Sequence, residues 1–182
     1  MEVLTISEAL AELKILGDRL AMNAKFVLDH VARDERQRDP FEREQSTAAA
    51  QIAQRMDSSR DLRARAVALR RAIALKNFEV RVEIEGVTRS VGEWLIWRRE
   101  IAKGYGAELA ALVGHIERLQ STVAQQNLRM RTDNTGSSGE PVRLALMLGL
   151  AELQTLREQH QSTLGVLDGR LSVVNATTTI EV

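Results

Sequence analysis

Three histidines, His30, His115 and His160, are the side chains best equipped to hold a metal or move a proton near neutral pH. Each falls in a different helical stretch, and none belongs to an H-E-x-x-H pattern, which would set two ligands on one helix face. His115 is followed by Glu117, an offset of two that turns the carboxylate away. His160 keeps step with a row of leucines, so it reads as a buried, hydrogen-bonded, register-setting residue rather than a catalyst. Carboxylates are plentiful but lie beside basic residues, with nothing to mark a pair held in a cleft at separated pKa values. The chain contains no phosphate-binding G-x-x-x-x-G-K-[ST], no dinucleotide-binding G-x-G-x-x-G and no G-x-S-x-G elbow. Gly104 and Gly106 sit within a helical pattern that no buried strand precedes. No catalytic residue, metal ligand or cofactor is therefore expected. Trp94, Trp97, Arg98 and Arg99 could stack on single-stranded nucleic acid. They occur once, in the first turns of a helix beside two short strands. Packing is the favoured reading, with Trp94, Trp97 and Arg98 as candidates for a subunit contact.

Composition narrows the setting. Lys plus Arg and Asp plus Glu both number 25, so no net field gathers nucleic acid or an anionic membrane. Aromatic residues are 3% of the chain, below what a compact enzyme core uses, while Ala, Leu, Arg, Glu and Gln are the vocabulary of long helices. The absence of cysteine removes disulfides, thiolate nucleophiles and cysteine-bound zinc. The opening MEVLTISEALAEL is acidic and amphipathic, unlike a secretory signal. The run LALMLGLA at 144–151 is far shorter than the roughly 20 residues of a spanning helix. A soluble protein without a membrane role is expected.

The elements that must position these side chains follow from hydrophobic period. Thr5 and Glu8 form a capping box, followed by Ile6, Leu10, Leu13, Gly17, Leu20, Ala24, Val27 and Val31 at alternating spacings of four and three. Gly17 and Ala24 would let a partner helix approach closely. The charged stretch 33–47 contains Pro40 and reads as a solvated helix end and turn, with Ser46 or Thr47 capping a second helix to about Lys76. Its seam is Leu62, Ala66, Leu69 and Ile73, surrounded by Arg60, Arg63, Arg65, Arg70 and Arg71. Residues 79–89 switch to a period of two around Glu85-Gly86, which predicts a tight β-hairpin. Ser90 and Glu93 cap the next helix, which runs from Val91 to about Arg131 along Tyr105, Leu109, Leu112, Ile116, Leu119, Val123, Gln126 and Met130. Gly104 and Gly106 predict a kink or a shift of seam phase there. TDNTGSSGEP reads as a flexible loop. The last helix carries Leu146, Gly149, Leu153, Leu156, His160, Leu164, Leu167, Leu171 and Val174, and should fold back antiparallel. The closing NATTTIEV favours a strand.

Residues 65–101, RAVALRRAIALKNFEVRVEIEGVTRSVGEWLIWRREI, resemble a pattern in small helical proteins of tailed bacteriophages and prophages. The matching positions are Ile73, Asn77, Val82, Ile84, Gly86, Thr88, Val91 and Glu93, and the opening ISEALAELKILGDRL is similar as well. Trp94 and Trp97 stand where smaller residues occur in that pattern. More remotely, LDGRLSVVNATTTIEV, through Asp168, Asn175, Thr177 and Thr178, is similar to the tail of septicolysin-like bacterial proteins. The first resemblance implies a phage-associated structural or accessory protein, in a virion or the bacterial cytoplasm, without established catalytic residues. The second implies, more weakly, a membrane-active toxin.

The fold expected is mainly α: one helical domain over 1–182 built of long antiparallel hairpins or coiled coil. It comprises a helical hairpin (5–78), a β-hairpin (79–89), a long helix (90–131), a flexible loop (132–141), a helix (142–174) and a terminal strand (175–182). A lone two-stranded hairpin is marginal in water. A C-terminal tail, its own or a neighbour's, is therefore expected to add to it, with Val80, Val82, Ile84, Gly86, Ile180 and Val182 as a β-docking set. Leu109, Leu112, Ile116, Leu119, Val123, Leu153, Leu156, Leu164 and Leu167 are expected to form an oligomer or packing seam. The functional expectation is a non-enzymatic, homo-oligomeric assembly protein of a tailed-phage particle that contacts other virion proteins. A nucleic-acid-binding or host-directed accessory factor using the arginine-rich second helix is the alternative.

Overall fold

The computed structural model describes residues 2–34, 36, 38–41, 47–132 and 141–182, except the side chains of 131 and 132. The chain is mainly α and, where a single helical domain was expected, divides into two compact units, Met1–Val80 with Leu171–Val182 and Arg81–Arg170. Most of the predicted loop 132–141, and Ser46, lie outside the described residues.

The first unit contains β1 (Val3–Thr5), α1 (Ile6–His30), α2 (Ala48–Glu79), the end of α5 (Leu150–Thr177) and β4 (Thr179–Glu181). The capping box of α1 forms as the T-x-x-E spacing requires: the Glu8 N–H donates to Thr5 Oγ1 at 3.2 Å, and the Thr5 N–H donates to the Glu8 carboxylate at 2.7 Å. Thr47 caps α2 by accepting from the Ala50 N–H at 3.1 Å. β1 and β4 pair antiparallel with Leu4 opposite Ile180. The tail thus pairs with the opening residues of its own chain, in a sheet that shares no strand with the predicted hairpin. The three-residue β1 preceding a strong helix start is too short to show a period. The expected docking role of Ile180 and Val182 is corrected accordingly: Ile180 is buried with Ile6, Ala9, Leu16, Leu69 and Ile73, and Val182 packs against the same core.

The α2 seam is the predicted one, but the α1 seam is shifted by one residue at alternate positions. Its inward face is Ile6, Ala9, Leu13, Leu16, Leu20, Asn23 and Val27, while Leu10 is 45% exposed and a Cβ on Gly17 would meet nothing within 4 Å. Both readings share Ile6, Leu13, Leu20 and Val27. Ala9, being small, is the residue that brings the two helices together, and the larger Leu10 is left on the flank. Each fully buried Ile or Leu of this core contributes roughly 1.5–3 kcal/mol. Asn23, on the same face, donates to Ser59 Oγ at 3.1 Å and accepts from the Arg55 guanidinium at 3.3 Å. A buried polar pair of this kind costs an unsatisfied group if the helices slide, and so fixes their register.

The second unit contains β2 (Arg81–Ile84), β3 (Val87–Ser90), α3 (Val91–Ile96), a π-helical segment (Trp97–Ala102), α4 (Lys103–Thr132) and α5 as far as Arg170. β2 and β3 pair antiparallel from Arg81 opposite Ser90 to Ile84 opposite Val87. Their two-residue turn has positive φ at both Glu85 (50°) and Gly86 (79°), the primed geometry that matches strand twist. Val80, expected within the hairpin, instead caps the C-terminus of α2. Val82 and Ile84 are buried, so the expected β-docking set faces inward. The Ser90–Glu93 capping box forms as predicted. The break in the long helix is a π-helical turn at Trp97–Ala102, one turn ahead of the glycines where a kink was expected.

On α4 the buried stripe is Leu109, Val113 and Ile116, packed with Leu153 of α5 and flanked by Leu150 and Leu156. Leu112 and Leu119 of the predicted seam remain 40% and 39% exposed. The same one-residue shift recurs here, because Val113 and Leu112 are both apolar neighbours of the shared Leu109–Ile116 row. α5 starts at Leu150, not 142, so Leu146 and Gly149 precede it. The cause is local: the Asn127 side chain donates to the Val142 carbonyl and accepts from its N–H, both at 2.9 Å, holding the returning chain out of a helix. From Leu153 onward the α5 row is inward-facing, with Leu153, His160, Leu167 and Leu171 buried.

Candidate functional site

The second unit gathers into one place most of the ring and polar chemistry that the sequence distributes over 80 positions. Trp94, on α3, is 4% exposed, and its indole N–H donates to the Val82 carbonyl at 3.0 Å. This bond pins the helix start to β2 and satisfies a buried donor. Trp94 is therefore internal, which corrects its candidacy for a subunit contact. The Arg89 guanidinium, from β3, lies over the indole ring at 4.9 Å. Trp97, at the start of the π-helical turn, meets Trp94 edge-on with ring centroids 5.6 Å apart.

His160 reaches this group from α5. It is buried, and its Nε2 lies 2.9 Å from the carbonyl oxygen of Ala102, the last residue of the π-helical turn. A carbonyl only accepts, so Nε2 carries a proton, and Nδ1 makes no hydrogen bond among the described residues. Trp97 and Tyr105 stand edge-on to the imidazole at 6.0 and 5.2 Å. Gly106 leaves room for this approach, since a Cβ there would lie 3.2 Å from Nε2, tighter than an ordinary contact. Hydrophobic period identified His160 as a seam residue; the role of Gly106 has no sequence signal apart from its partner.

These side chains line an open recess of about 380 Å³, with Ile84, Val87 and Leu156 as apolar walls. Its polar rim is Arg89, Glu85, Gln159 and Thr163, with the Thr163 hydroxyl donating to the Glu85 carboxylate at 2.8 Å. Glu93, beside it in the Ser90 cap, is held below the usual glutamate range, chiefly by the Ser90 backbone N–H, then by the Ser90 hydroxyl and more weakly by the charges of Arg81 and Arg89. Among the described residues no three His, Asp or Glu side chains converge as a metal site. No helix among them is long and apolar enough to cross a membrane.

The remaining candidates separate by face. Leu109, Ile116, Leu153 and Leu167 are buried, Leu156, Leu164 and Val123 are half-buried, and Leu112 and Leu119 form, with Tyr105, a second row at seven-residue spacing. Arg98 pairs with Asp168 at 2.9 Å on the surface. In the first unit, Arg60 pairs with Asp57 at 3.0 Å, and Arg65 pairs with Glu12 at 2.8 Å and with Glu2. Arg63, Arg70 and Arg71 are exposed.

No protein-family model and no curated protein matches this chain. Among solved structures it is similar to the crystal structure of a functionally unknown conserved protein from Corynebacterium diphtheriae, at 17% identity and a TM-score of 0.54, covering 99% of this chain and 100% of that one. That likeness concerns the fold alone.

Proposed function

We propose that the protein is a non-enzymatic assembly component that forms a homo-oligomer through the second apolar row of α4. Its resemblance to helical proteins of tailed phages gives the setting, a virion or its assembly. The observation that carries the reading is the row Tyr105, Leu112 and Leu119, whose members are each about 40% exposed while the neighbouring row of the same helix is packed. Seven-residue spacing is the pattern of a helix that receives another helix, and a second copy brings the same row to a two-fold contact. Docking by strand addition, expected of the tail, passes to the outer edges of the β2–β3 pair, because β4 already pairs with β1.

The chain has no cysteine, so single thiols test the contact directly. Leu112→Cys and Leu119→Cys, treated with a short bis-maleimide, are expected to give covalent dimers at one or both positions. Glu117→Cys, on the opposite side of α4, should give little. Equal yields at all three positions would exclude this row as the contact.

A further inference from the structure

The ring-lined recess of the second unit shares Tyr105 with the proposed contact row, while its other lining residues, among them Arg89, Trp94, Trp97 and His160, lie outside that row. We propose that it binds a small planar aromatic carboxylate carrying a hydrogen-bond donor at the far end of its ring. Three observations define that ligand. The walls are rings: Trp97 and Tyr105 stand edge-on to His160 around a recess of about 380 Å³, within the size range of small-molecule sites. A flat aromatic body adds ring–ring contacts on these walls that an aliphatic one lacks.

Arg89 is the one cation that lines the recess, and among the described residues it makes no ion pair or hydrogen bond. Its guanidinium carbon lies 4.9 Å from the centre of the Trp94 ring, and with no hydrogen-bond partner among the described residues its donors remain for a carboxylate. The recess also holds acceptors. Glu85 offers a carboxylate that already accepts from the Thr163 hydroxyl, and His160, whose Nε2 is engaged by the Ala102 carbonyl, presents its other ring nitrogen. The Glu85 carboxylate repels an anion and accepts from a donor, so a ligand that carries both groups turns its carboxylate to Arg89.

Both tryptophans of the chain line the recess, so their two indole N–H signals in proton–nitrogen NMR report on it selectively. The probe is para-hydroxybenzoate, titrated into the full chain. The expected result is a saturable shift of the Trp97 indole signal, weakened about tenfold or more for para-hydroxybenzamide, for tyramine and for the Arg89→Met variant. Arg89→Lys, which keeps the charge without the fork, falls between. Should Arg89→Met fail to fold, the amide and amine comparisons on the unaltered chain decide. The proposal is overturned if para-hydroxybenzoate gives no saturable shift, or if the amide or the amine binds as tightly.

Discussion

Asn23 does at the residue scale what no leucine on the α1 seam can do, because its amide has partners in only one alignment of the two helices. Replacing it with Leu strands the buried Ser59 hydroxyl and removes one acceptor from the exposed Arg55, and should cost about 1–3 kcal/mol in urea unfolding. Adding Ser59→Ala should return part of that loss, since an apolar pair leaves fewer unmet polar groups. A double variant no more stable than Asn23→Leu alone would mean that the pair does not set register. The two capping boxes make a pH prediction. Glu8 and Glu93 are held below the ordinary glutamate value of 4.5, foremost by the backbone N–H groups of Thr5 and Ser90 and then by their hydroxyls. A carboxyl whose folded pKa is lowered stabilises above its unfolded value and loses that contribution as pH falls through the folded value. The urea midpoint should therefore decline below pH 4.5, and less steeply in a Glu8→Gln, Glu93→Gln chain. A midpoint that rises as acid is added would contradict the assignment. The boxes were legible in the sequence because they are patterns of three-residue reach. Asn23, Asn127 and Gly106 were not, since each acts through a partner 15 or more positions away.

At the scale of elements, helix existence followed from period, and the errors fell where two apolar rows overlap. On α1 and α4 alike, the sequence offers two rows that share every second member, and four-three spacing fits the row with Leu10 or Leu112 as well as the other. Close helix approach instead chose Ala9 and Val113, which needs the partner surface to be known. The tail's partner was missed for a related reason: β1 and β4 are three residues each and stand at opposite ends of the chain. The β2–β3 turn makes the sharpest element-scale prediction. With Gly86 at φ 79°, Gly86→Ala should lose about 1–2 kcal/mol of stability, and Gly86→Asn less, in thermal or urea unfolding. A neutral Gly86→Ala would exclude the primed turn. Asn127→Ala should release the segment at Val142, read as faster amide exchange there with little change in the α4 core.

At the scale of the whole molecule, the packed rows account for the cores of the two units but leave Tyr105, Leu112 and Leu119 half in water. Singly exposed leucines are ordinary, whereas a row at helical spacing is the kind of surface a partner covers. Self-association through that row is the central claim, and equilibrium sedimentation of the unaltered chain tests it most directly. The mass should rise with concentration to at least twice that of one chain and return toward a single chain in a Leu112→Glu, Leu119→Glu variant. A chain that sediments as a monomer at every concentration, with the variant indistinguishable from it, would contradict the claim.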